Sequence, residues 1–407
     1  MPEITFDNLV IVAAVAFAVP LALGLAPKFR LPAIVLEIVA GIVIGPSGFG
    51  WVEVDAAVQL MALIGLAFLL FIAGLEVDYD RLRGRLLGVT GIAWLVSFGL
   101  ALVAGYVLDV SGLVSSPLLI AIAIAATGLG VVIPILKDAD QLSTMFGRVV
   151  VAGCSIAEIA TLILVSLFFS GESAGVGSTL ILLGVFAALV LATAFALLFA
   201  EHSSRLSATL RRLQDTTAQI RVRGAFFLLA LFVVIAEEFG LEVILGTFMA
   251  GAILKIVDRD QGMTHPEFRL KLEATAFGVF IPFFFVTSGL RFDLDALFAS
   301  GETIARVPIF LAALLLVRGL PVLLYRSLVR SKTMLVSAAL LQATSISFLV
   351  VVAEIGRELE LLSEGSAAAL IAAGLLSVVI FPLTALTLLR REARTAAVSR
   401  EPEPSAA

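Results

Sequence analysis

Apolar runs of roughly 17 to 25 residues, the length that carries a helix across a bilayer, follow one another along almost the whole chain. Short polar stretches separate them. The pattern predicts about thirteen membrane-crossing helices, near 6–26, 31–45, 56–75, 86–108, 117–136, 147–170, 175–200, 223–239, 241–257, 271–290, 303–325, 333–353 and 366–389. The expectation is an all-α polytopic membrane protein, with a domain over 1–390 and a short, polar, disordered tail over 391–407.

Charge gives these segments a direction. Of the 27 Lys and Arg residues, 23 fall in the stretches that follow odd-numbered segments, such as Lys28 and Arg30, Arg81 to Arg85, and Arg390 to Arg400. Stretches after even-numbered segments hold only Arg291, Arg306 and Arg357. Basic residues concentrate on the cytoplasmic side, so the N-terminus is expected outside and the C-terminus in the cytoplasm of an inner membrane. Glu3 and Asp7 precede the first segment and Lys28 and Arg30 follow it, which reads as a retained helix rather than a cleaved leader.

Composition agrees: 60% of the residues are apolar and 14% charged, against about a quarter charged in soluble domains. The balance points to an exterior that faces lipid. No basic cluster stands among aromatics, so a nucleic-acid partner is not expected. The single cysteine, Cys154, excludes an intrachain disulfide.

Self-comparison finds the third segment again in the tenth. FIAGLEVDYDRL and VTSGLRFDLDAL share Gly74/Gly289, Leu75/Leu290, Asp78/Asp293, Asp80/Asp295 and Leu82/Leu297. Weaker echoes join AGIVIG at 40–45 to AGAILK at 250–255, and Ala126-Thr127 to Ala343-Thr344. The third and tenth segments run in opposite directions, so segments 1–6 and 8–13 form an inverted repeat around a linking seventh. Such repeats mark secondary transporters, whose sites lie at mid-membrane where broken helices meet. The fifth segment, with Ala126-Thr127-Gly128-Leu129-Gly130, and the twelfth, with Gln342-Ala343-Thr344-Ser345-Ile346-Ser347, are the expected breaks. Packing of small residues between intact helices is the alternative.

Ionisable groups at membrane depth are costly and point to function. Glu158 lies midway along the sixth segment, with Ser155 and Thr161 three residues to either side on one helix face. A carboxylate among hydroxyls suits a proton or a hard monovalent cation better than a transition metal. Arg318, in the eleventh segment, is the only basic group in mid-membrane and the candidate supporting charge. Glu76, Thr344 and Ser345 are secondary candidates. Glu37, in the second segment, reads as structural, held by backbone amides. No phosphate loop, nucleophile elbow or metal-spaced His/Cys set appears, so neither an enzyme, nor a cofactor, nor a metal beyond a transported cation is expected.

These stretches resemble the cation:proton antiporter superfamily, in the branch of Kef-type potassium efflux proteins and bacterial Na+/H+ antiporters. The resemblance rests on LPAIVLEIVAGIVIGPSGFG at 31–50, LIGLAFLLFIAGLEVD at 63–78, VVIPILKDAD at 131–140, STMFGRVVVAG at 143–153, LGTFMAGAIL at 245–254, PFFFVTSGLRFDLDAL at 282–297 and VRGLPVLLYR at 317–326. It implies a homodimer that exchanges Na+ or K+ for H+ by an elevator motion. A core of helices 4–6 and 11–13, with helices 5 and 12 broken and crossing, would slide against a dimerisation domain of helices 1–3 and 8–10. It further implies ion binding at Glu158, a basic partner at Arg318, and the broken fifth helix at Thr127. Where relatives carry a polar-acidic or diacidic pair on the sixth helix, this chain has Ala157-Glu158. One carboxylate implies an electroneutral exchange. The nucleotide-binding domain of full Kef proteins has no counterpart here, so gating of that kind is not expected. A sodium-coupled symporter of an organic solute and an ion channel are the rival readings.

Overall fold

Among the described residues, helix lies within each stretch that the apolar pattern marks, with interruptions in the fifth and twelfth. The computed structural model describes residues 6–25, 32–76, 84–169, 176–201, 219–239, 241–257, 266–329 and 331–398. In chain order these form α1 (Asp7–Leu25), α2 (Ala33–Ile44), α3 (Ala56–Glu76), α4 (Gly84–Val110), α5 (Pro117–Ala125), α6 (Leu129–Asp138), α7 (Met145–Phe169), α8 (Val176–Glu201) and α9 (Ile220–Glu238). There follow α10 (Val243–Val257), α11 (Pro266–Thr275), α12 (Ile281–Leu290), α13 (Leu294–Phe298), α14 (Gly301–Gly319), α15 (Lys332–Gln342), α16 (Ser347–Glu358) and α17 (Glu364–Val398). A π-helical turn at Ala276–Phe280 joins α11 to α12, and a 3-10 stretch at Leu320–Ser327 continues α14.

Among the described residues, eight helical stretches are long and apolar enough to cross a membrane alone, and shorter apolar helices accompany them. The protein is an all-helical, multi-pass membrane protein. Its exterior carries large apolar side chains such as Phe17, Leu95, Phe195 and Phe227, the surface a hydrocarbon solvent selects. That solvent also leaves helices as the form in which such a chain can satisfy its backbone groups.

One boundary differs from expectation. α17 continues through the basic run to Val398 instead of ending near 390. Leu389-Arg390-Arg391-Glu392-Ala393-Arg394 are all good helix formers, so polarity there does not end the helix. Residues 399–407 lie outside the described residues, as do Asp78 and Asp80.

The chain divides into two compact units. The first comprises residues 1–27, 36–77 and 162–292, and the second residues 28–35, 78–161 and 293–407.

Two helix crossings of matching geometry organise the first unit. At one, α2 meets α12 glycine to glycine: a Cβ on Gly41 would lie 2.1 Å from the Val286 carbonyl, and one on Gly289 2.1 Å from that of Ile38. At the other, α3 meets α10 in the same way, with Gly74 facing the Phe248 carbonyl at 2.1 Å and Gly251 facing that of Phe71 at 2.0 Å. In all four cases the obstructing carbonyl belongs to the residue three before the opposing glycine. The internal repeat equates Gly41 with Gly251 and Gly74 with Gly289, so one crossing is the repeat image of the other. Beside them Val12, Ile44, Val52, Val58, Phe283, Val286 and Leu290 form a buried cluster. Asp55 caps α3 by accepting from Val58 N at 2.9 Å, and its second oxygen accepts from Asn8 Nδ2 at 3.1 Å.

The second unit holds both interrupted helices. α5 ends at Ala125, and Ala126 is extended at ψ 162° before the chain re-enters helix at Leu129. α15 ends at Gln342 and helix resumes at Ser347. The breaks meet: Gly128 N donates to the Thr344 carbonyl at 2.9 Å, and Thr127 Oγ1 donates to the Gln342 carbonyl at 2.6 Å. Backbone groups that leave one helix ladder are thus satisfied by the other break, as an apolar interior requires.

Candidate cation site

α7 brings the acidic candidate into the second unit. Its first turn is fixed by Thr144, whose Oγ1 accepts from Gly147 N at 3.1 Å. Gly147 also lets the Gln141 carbonyl approach where a Cβ would lie 2.0 Å away. Three turns on, Glu158 is half-buried, with Ser155 buried one turn before it on the same face.

The hydroxyls flanking Glu158 on its helix, and that of Thr127 in the broken fifth helix, have different occupations. Thr161 Oγ1 donates back to the Ala157 carbonyl at 2.7 Å, an interaction within its own helix. Thr127 is committed on both sides, donating to the Gln342 carbonyl and accepting from Arg318 Nε at 2.8 Å. Ser155 is buried one turn before Glu158 and is 1% exposed.

Arg318 makes five hydrogen bonds among the described residues and is 2% exposed. It is the penultimate residue of α14, where the winding tightens to 3-10 ahead of Pro321. Proline cannot donate to the ladder, and this change of pitch presents the guanidinium to the crossing. Nε donates to Thr127 Oγ1, and to the Gln342 carbonyl at 3.4 Å. Nη1 donates to Ser97 Oγ at 3.2 Å, and Nη2 to the Gly153 carbonyl and Gln342 Oε1, each at 3.3 Å. Ser97 in turn donates to the Val317 carbonyl at 2.7 Å. One side chain thus ties α4, both helix breaks and α7 together.

The secondary candidates separate. Thr344 Oγ1 donates to the Leu340 carbonyl at 3.0 Å in its own helix. Ser345 Oγ is buried with no partner among the described residues, while its backbone is held by Ser377, which accepts from Ser345 N at 3.1 Å and donates to Ser345 O at 3.0 Å. Glu76 is the last residue of α3, and its side chain lies outside what the structure describes. Glu37 is buried on α2 in the first unit.

Sequence reasoning passed over Gly153, Ser97, Tyr325 and the side chain of Gln342. The usable signal was Gln342, an amide in an apolar helix that must find partners when buried. Cys154 lies within electrostatic reach of both Arg318 and Glu158, which places a fixed positive charge and the carboxylate in one neighbourhood. Hard oxygen donors around one carboxylate can hold a proton or a small monovalent cation, each cancelling its charge.

Comparison with known proteins agrees with this chemistry. A family model described as "Sodium/hydrogen exchanger, transmembrane" matches residues 13–391. YjbQ of Bacillus subtilis (strain 168) is 28% identical over 96% of this chain, which spans only 64% of that relative's length. The Na(+)/H(+) antiporter of Enterococcus hirae is 25% identical over 88% of this chain and 91% of its own. Among solved structures, the sodium proton antiporter MjNhaP1 from Methanocaldococcus jannaschii aligns with a TM-score of 0.60 at 18% identity, over 94% of this chain and 98% of that one. That likeness is one of fold.

Proposed function

Because the chain belongs to the sodium/hydrogen exchanger family, whose members are transporters rather than enzymes, we propose that it exchanges Na+ or K+ for protons across the cytoplasmic membrane, one for one. The observation that carries the reading is Glu158, a half-buried carboxylate one turn from the buried Ser155, in the unit where two broken helices meet. The second unit acts as the moving core of an elevator, and helices of the first form a homodimer in the lipid. The thirteen segments cross with the N-terminus outside and the C-terminus in the cytoplasm.

The stoichiometry follows from charge. A proton or a monovalent cation on Glu158 neutralises it equally, and Arg318 keeps its proton throughout, as guanidinium does in proteins. The loaded core then carries the same charge in both directions. The test is reconstitution into vesicles containing a pH-sensitive dye, with Na+, K+ and Li+ added in turn. Addition of the transported cation should alkalinise or acidify the lumen according to its gradient; failure of all three would overturn the exchanger reading. A membrane potential is worth about 2.3 kcal/mol per charge per 100 mV. Imposed without a pH gradient, it should drive no cation accumulation, and accumulation would show that net charge moves.

Ser155 supplies a narrower check. With one neutral ligand of about 1 kcal/mol removed, Ser155→Ala should raise the cation KM about fivefold and lower Vmax much less. An unchanged KM would remove Ser155 from the site.

A further inference from the structure

Every hydrogen bond that Arg318 makes among the described residues ends on a neutral oxygen. Gln342 supplies two of those oxygens, its carbonyl and its Oε1. Its amide is itself oriented, with Nε2 donating to Tyr325 Oη at 3.1 Å. The amide fits because α7 has glycine at the contact: a Cβ on Gly153 would lie 2.4 Å from Gln342 Nε2 and 2.8 Å from Tyr325 Oη. Glu158 stands five residues further along α7, an axial rise of about 7.5 Å. Cys154, next to Gly153 on α7, lies within electrostatic reach of both Arg318 and Glu158, and the groups that hold the buried guanidinium do nothing to offset its charge.

We propose that Gln342, seated in the space Gly153 leaves open, is a positioning residue that keeps the charge of Arg318 uncompensated and so holds the cation affinity of the Glu158 site low enough for release. This rests on Glu158 being the ion carrier. A fixed positive charge opposes every singly charged occupant of Glu158 alike, so it weakens cation binding without favouring proton over cation. A carboxylate at position 342 would preserve the acceptor for Arg318 while cancelling that effect. The site would load more tightly and empty more slowly.

The experiment compares Gln342→Glu with Gln342→Met in proteoliposomes, at an alkaline pH where protons compete little for the site. Gln342→Glu should lower the cation KM about tenfold, the scale of one added unit charge roughly 10 Å away in a protein interior, and should lower Vmax with it. Gln342→Met keeps the charge state but loses the acceptor, so its KM should stay within about twofold of wild type while Vmax falls. A purely structural Gln342 gives the reverse pattern, with wild-type KM for Gln342→Glu and an altered one for Gln342→Met; that result overturns the proposal. Should Gln342→Glu fail to fold, Ser97→Asp places the same charge against Nη1 and must lower KM likewise. Glu158→Gln, run in parallel, separates the two levels. If it still exchanges, the carrier reading fails. If it is inert while the added carboxylate leaves KM unmoved, only the role of Gln342 fails.

Discussion

Proteoliposomes carrying Glu158→Gln should show no cation-dependent proton movement, a loss of at least about a hundredfold, while the protein remains folded by size-exclusion chromatography. The amide matches the carboxylate in size and leaves α7 intact, but it can neither bind a proton at working pH nor neutralise a cation. The hydroxyls around it offer no replacement, since Thr161 and Thr127 are engaged with carbonyls of the scaffold. Exchange at near wild-type rate would show that another group carries the ion. Stability supplies the control, because a half-buried carboxylate replaced by its amide leaves no cavity.

The second large effect is structural. Gly289→Val and Gly74→Val should each prevent close approach at one of the two glycine crossings of the first unit. The added Cβ would sit 2.1 Å from a backbone carbonyl in either case, and helix backbone cannot yield as a side-chain tip can. Overpacking of this kind costs about 3 kcal/mol, which corresponds to roughly 10 °C in Tm for a unit of this size. Thermal unfolding in detergent, read by the recovery of monodisperse protein, measures it. Gly91, on α4, meets nothing within 4 Å, and Gly91→Ala should leave Tm within about 1 °C. If the crossing variants melt with wild type, the helices are not pressed together there.

The crossings were legible because matching stretches of the sequence carry glycine where the helices press together. Gly74 and Gly289 stood out as a match, and the fainter pairing of Gly41 with Gly251 proved to mark their opposite faces. The helix breaks were legible too, through Ala126-Thr127-Gly128 and Thr344-Ser345, where small and hydroxylated residues displace the aliphatic ones. What the sequence could not show was direction. A threonine in a break reads as a ligand, yet the oxygen of Thr127 faces Arg318 and its proton the Gln342 carbonyl. Arg318 was expected to answer a carboxylate, and it found neutral acceptors on residues 24 to 221 positions away. Such partners are chosen by tertiary approach, and no local pattern encodes them. The basic end of α17 misled for the opposite reason: its polarity resembles a tail, while its Arg, Glu and Ala residues sustain helix.

The meeting of the two breaks also bears on how the chain is assembled. Thr127 and the carbonyl it needs are 215 residues apart, so one half of the crossing leaves the ribosome roughly 10 to 40 s before the other at ordinary rates of synthesis. Throughout that interval the amide of Gly128 and the hydroxyl of Thr127 lack their final acceptors. The first half must therefore wait in water, in the insertion machinery or in a straightened helix, and it acquires its native bend only when the second half arrives. The crossing can therefore close only after both halves have been made.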